Sequence, residues 1–182
     1  MSAFGETFLA RAPRVLGRKL RPFTLAHARA LDLIESPFAG HEGKLDLSEL
    51  YLAVEICRVD QPPNDLILHA PSGRLSRCRH WLRLLWLGRQ FNESLSLFLA
   101  YQKAAQTGPP TWDSKGSDSG LPWYFRLASH LMAQGRSEAE AWSFSPGRAA
   151  WIVAGSLVAA GLETNLISSA EVDAMREAGY DA

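Results

Sequence analysis

The side chains able to do chemistry in this 182-residue chain are five histidines, two cysteines, scattered acids and a run of arginines. Their spacing decides what each could do. His27, His41, His69, His80 and His130 stand singly, with no His-x-x-x-His pair. A zinc site needs three or four ligands at motif spacing, and neither Cys57 nor Cys78 has a partner placed that way. His80 lies two residues from Cys78, on a different face of a helix, so the two do not read as a base and its nucleophile. Both cysteines fall inside apolar helical patterns, where a free thiol behaves as a small buried hydrophobe, and a reducing compartment fits.

Glu138 with Glu140, and Asp113 with Asp118, could be paired carboxylates for acid–base work. The glutamates, however, stand in the first turn of a helix, where acids complement the dipole, and the aspartates lie in a polar linker. No serine has the strand, Gly-x-Ser-x-Gly, helix setting of a hydrolase elbow, and Gly17 belongs to no phosphate-binding glycine run. The expectation is a protein without catalytic residues, cofactor or metal.

Arg74, Arg77, Arg79 and Arg83, interleaved with Trp81 and Trp86, resemble a base-stacking surface at first sight. At helical spacing only Arg79 and Arg83 share a face, so they form no single stripe and read as the solvated rim of a buried helix. The charge distribution agrees. Residues 1–30 carry a net +5, 31–65 carry −6, 66–105 carry +5 and 106–182 carry −4, so no basic face is left uncompensated. Such blocks favour neutralisation within the chain or self-association of copies over nucleic-acid binding.

A hydrophobic content of 47% and a charged content of 21% are ordinary globular values, in a chain long enough to bury a sizeable core. The N-terminus has no apolar signal region. The longest apolar run, Ala149 to Leu162, is too short to span a bilayer, so no membrane contact is expected.

The elements follow from periodicity and breakers. A basic extended lead-in stops at Pro22, and Thr24 is placed to cap a helix from Leu25 to about Glu35 that ends before Ser36-Pro37. Asp46-Leu-Ser-Glu49 opens a second helix to about Val59, with Leu50, Val54 and Cys57 on its core face. Leu66 to His69 is a candidate isolated strand. A long element from about Ser72 to Gln106 is apolar on nearly every side around Trp81–Leu87, as in the central rod of a bundle, and Gly88 and Asn92 are places for a kink or split. Its later part, Phe91, Leu95, Phe98 and Gln102, is one-sided.

Residues 107–121 form a Pro-, Gly- and Ser-rich linker around Trp112. Shorter helices follow at Trp123 to Gln134, Ser137 to about Trp142, Pro146 to Ala160 and Ser169 to about Ala178. Ser137 with Glu140 makes a capping box, Pro146 suits a first turn, and Gly161 terminates the third of these. The prediction is an all-α protein: a multi-helix bundle with a long central helix in an N-terminal domain (1–106), a linker (107–121) and a smaller C-terminal helical module (122–182). Trp81 and Trp151 are expected in the core.

Two passages carry a family resemblance. LGRKLRPFTLAHARALDLIESPF followed by DLSELYLAVEICR, and PWYFRLASHLMAQGRSEAEAWSFSPGRAAWIVAGSLVAAG, are similar to segments of phage tail assembly chaperones. The resemblance covers roughly half the chain, and the long central element and linker have no counterpart in it. It implies a non-enzymatic protein of the host cytoplasm that binds the apolar helices of the tape-measure protein and recruits tail-tube subunits. Partner contact is then expected at Trp86, Trp123, Phe23 and Phe38. A helical virion subunit, such as a head–tail connector or tail-completion protein, is the alternative.

Overall fold

The computed structural model describes residues 13–58, 89–109 and 120–161. Among these residues the protein is built from six α-helices, one short 3-10 turn and a two-stranded ribbon, so the all-α expectation holds. The isolated strand expected at Leu66–His69, the part of the long element before Arg89, Trp81, Trp112 and the helix expected at Ser169 all lie outside the described residues.

The ribbon pairs β1 (Arg14–Val15) with β2 (Arg18–Lys19), antiparallel, in the register Arg14 to Lys19 and Val15 to Arg18. Between them Leu16 and Gly17 have φ of 50° and 70°. Two successive positive φ values make the mirror-image turn that matches strand twist, and Gly17 adopts it freely. Leu16 does not, but its side chain is buried, and that burial offsets the backbone cost. The extended lead-in is therefore a tight hairpin.

Thr24 stands in extended conformation ahead of α1 (Leu25–Leu33), and its amide donates to Nδ1 of His27 at 3.0 Å. The pair forms a capping box in which imidazole takes the part usually given to Glu or Gln. After α1, Ser36 accepts from the Phe38 amide and opens the 3-10 turn Pro37–Ala39. Asp46 then caps α2 (Leu47–Ile56), accepting from the amides of Ser48 and Glu49 at 2.8 and 2.9 Å. Leu50, Val54 and Cys57 are fully buried, as their spacing predicts.

A turn at Arg89–Gln90 precedes α3 (Phe91–Gln106), so the described helix begins between Gly88 and Asn92, where a split was expected. Beyond the linker come α4 (Trp123–Ala133), α5 (Glu138–Ser143) and α6 (Pro146–Ala159). Ser137 and Glu140 close the expected capping box on α5, and Pro146 occupies the first turn of α6. Gly161, just past α6, has φ of 71°, the left-handed value that suits a glycine terminator.

Packing joins the two sides of residues 107–121. Helices α4 and α5 lie against α1, and α6 against α3. The Leu25 amide at the start of α1 donates to the Phe144 carbonyl after α5 at 2.9 Å. Buried side chains from Val15 to Ala149 form one cluster, so the break at the linker is a break in sequence and not in the core.

Candidate partner-binding surface

Of the four residues expected at a partner surface, Trp123 alone is exposed among the described residues. It is 39% exposed at the start of α4, flanked by exposed Leu121 and Phe125. Trp86 lies outside the described residues. Phe23 and Phe38 are corrected to the core, at 2% and 8% exposure. Phe23 stacks on the His27 ring with centroids 5.8 Å apart and meets Tyr101 edge-on at 5.7 Å, while Phe38 meets Phe98 edge-on at 4.9 Å. Both partners, Phe98 and Tyr101, come from α3. An aromatic ring beside a proline turn is largely covered once a distant helix packs on it. Trp151, expected in the core, is half-buried on α6.

His27 is likewise interior, fully buried beneath Phe23. Its place in the capping box gives the buried ring a polar partner, which a buried imidazole requires.

Three chemistry-bearing residues that the sequence leaves scattered meet at one point. Asp32, the penultimate residue of α1, has Oδ1 2.8 Å from Nε2 of His41. Its Oδ2 accepts from the Tyr124 hydroxyl at 2.7 Å. The order is imidazole, carboxylate, phenol, whereas a nucleophilic triad places imidazole between the other two. Burial first, and then the bond to the Asp32 carboxylate, push the Tyr124 phenol up to about 12, with the Arg29 charge pulling the other way. At neutral pH the phenol is therefore a donor, and the trio ties α1, the loop after the 3-10 turn and α4 together.

Beside this trio lies a pocket of about 50 Å³ between α1, the 3-10 turn, α3 and α4. Asp32, Phe38, Gln102, Gln106, Trp123 and Tyr124 contribute to its wall. The Trp123 and Tyr124 rings stand at 82° to each other with centroids 5.8 Å apart. Gln102, buried, donates its amide to the Phe38 carbonyl at 3.2 Å. Sequence reasoning singles out Trp123 but not the pocket, because Asp32 and Tyr124 are 92 residues apart.

The thiol of Cys57 sits elsewhere, next to the Tyr101 phenol in the core, and burial pushes it up to about 12. A thiol so placed is protonated and unreactive at neutral pH. Among the described residues no group of three or more His, Cys, Asp or Glu side chains could hold a metal ion. No described helix is long and apolar enough to cross a membrane.

Compared with family models, with curated proteins and with solved structures, the chain matches none of them.

Proposed function

We propose that this protein is a non-enzymatic assembly chaperone of the phage-tail kind, which shields apolar helices of a tape-measure protein while the tail is built. The observation that carries the reading is the exposure of Leu121, Trp123 and Phe125, at 54%, 39% and 43%, around the start of α4. Large aromatic and aliphatic side chains held outside the core are the usual anchors for an apolar partner stripe. The rigid floor beneath them supports the same reading: α4 is fixed to α1 through Tyr124 and Asp32, so the anchors need little ordering when a partner arrives. Host cytoplasm is the compartment this role requires, and the tail-tube protein is the second partner it implies.

Co-expression with a tape-measure protein tests the role. The complex should form with the wild-type chain and be lost in Trp123→Ala, while the variant keeps the wild-type melting curve. Failure of the wild-type chain to bind under assembly conditions would sink the reading. Recovery of the protein from purified particles in fixed stoichiometry would instead mark a virion subunit such as a connector.

A further inference from the structure

We propose that the pocket beside Asp32 is a binding site for the positively charged tip of an alkylammonium group, a lysine-type side chain or its methylated form. The inference stands whether or not the tape-measure reading does.

The first ground is charge. Asp32 is the one charged residue among the described residues that line the pocket, and both its oxygens are held in place, Oδ1 by His41 and Oδ2 by Tyr124. Each carboxylate oxygen has a second lone-pair direction left, so a fixed Asp32 still accepts from an incoming ammonium. Arg29, whose charge reaches Tyr124, is not part of the wall, and its guanidinium lies over the Trp142 ring 5.1 Å from the centroid. An anion entering here would meet a carboxylate and find no basic side chain on the described wall.

The second ground is the lining. Trp123, Tyr124 and Phe38 all contribute to the wall, and the Trp123 and Tyr124 rings meet edge-on. Ring quadrupoles attract a cation within about 6 Å of a centroid, so an aromatic-lined wall favours an ammonium head over a neutral group of equal size. Gln102 gives one N–H to the Phe38 carbonyl, and its side-chain carbonyl and that of Gln106 are acceptors available to an ammonium.

Size completes the assignment. A pocket of about 50 Å³ holds a compact head group and is far below the roughly 300 Å³ at which sites for drug-sized molecules and cofactors begin.

The test is a titration of the ¹⁵N-labelled full chain with n-butylammonium, and with n-butanol as its neutral counterpart, at about pH 8, above the ordinary histidine range. The amine should shift the Trp123 indole and the Gln102 and Gln106 side-chain amides saturably, with half-saturation at roughly millimolar amine. Butanol should not. Asp32→Asn and Trp123→Leu should each weaken the amine about tenfold. If Asp32→Asn loses its fold, Trp123→Leu, altered at a well-exposed position, decides alone. Equal shifts from the amine and the alcohol, or wild-type binding by Trp123→Leu, would overturn the proposal. Peptides carrying lysine or trimethyllysine identify the source: tighter binding than the free amine marks a protein-borne side chain, and equal binding marks a free amine.

Discussion

The hydroxyl of Tyr101, in the middle of α3, donates to the backbone carbonyl of Arg21 at 2.6 Å, across 80 residues of sequence. The Arg21 amide in turn donates to the Cys57 carbonyl at the end of α2, at 2.9 Å. One residue of irregular backbone, just before Pro22, is thus held from both sides, and through it the hairpin, α2 and α3 share a fixed point. Buried backbone groups outside regular ladders need partners of this kind.

Tyr101→Phe removes that donor and leaves the Arg21 carbonyl without it, while keeping the ring against Phe23 and Phe98. The expected cost is about 1–3 kcal/mol, read as a lower urea midpoint at unchanged m-value. An unchanged midpoint would show that water replaces the phenol there.

Burial raises Cys57 from 9.0 to about 12 and also drives the neighbouring Tyr101 phenol upward. Below about pH 9 the thiol is protonated in both the folded and the unfolded chain, so this contribution to stability is fully present. Between about 9 and 12 the unfolded chain sheds the proton and the folded chain keeps it, so stability falls as pH rises. Urea midpoints followed from pH 8 to 11 should decline, and Cys57→Ala should decline less steeply. Identical slopes would remove the thiol from the account.

Glu140 moves the opposite way. Bonds from the Ser137 amide and hydroxyl hold its carboxyl below the ordinary range, although it is fully exposed. The stabilisation is present above the unfolded value and is lost as pH falls through the lowered folded one. Glu140→Gln keeps a capping-box side chain with no charge to titrate, so it should flatten the acid limb of a pH–stability profile. A wild-type acid limb in that variant would assign the loss to other carboxylates.

His27→Ala deletes a fully buried ring, its stacking on Phe23 and its share of the α1 cap. A loss of about 2–4 kcal/mol is expected from cavity and lost hydrogen bond together. Gln at the same position can restore the bond to Thr24 and part of the volume, so thermal melts should rank wild type above His27→Gln above His27→Ala. Equal melts for the two variants would mean the cap contributes nothing.

Local chemistry was readable in the sequence. The caps at Asp46 and Ser137, Pro146 in a first turn and the core face Leu50, Val54, Cys57 each depend on residues within a turn or two of one another. The hairpin was not readable, because Leu stands at position 16, where Asn, Asp or Gly usually announces two positive φ values, and the burial of Leu16 makes it tolerable. Phe23 and Phe38 went to the core because α3 supplies their partners, and no local pattern reports that. The His27 cap was missed because imidazole replaces the expected Glu or Gln, and the Asp32, His41 and Tyr124 contact because it closes over most of the chain.

The bond from the Leu25 amide to the Phe144 carbonyl at one end of α1, and the Asp32–Tyr124 bond near the other, give the connection through residues 107–121 an unusual standing. Information for the fold is carried by the faces of α1, α3, α4, α5 and α6, which pack across the connection between α3 and α4. Cut there, the chain would behave as two complementary fragments that recognise each other and rebuild one core, a natural split protein whose reassembly could report on whatever brings its halves together.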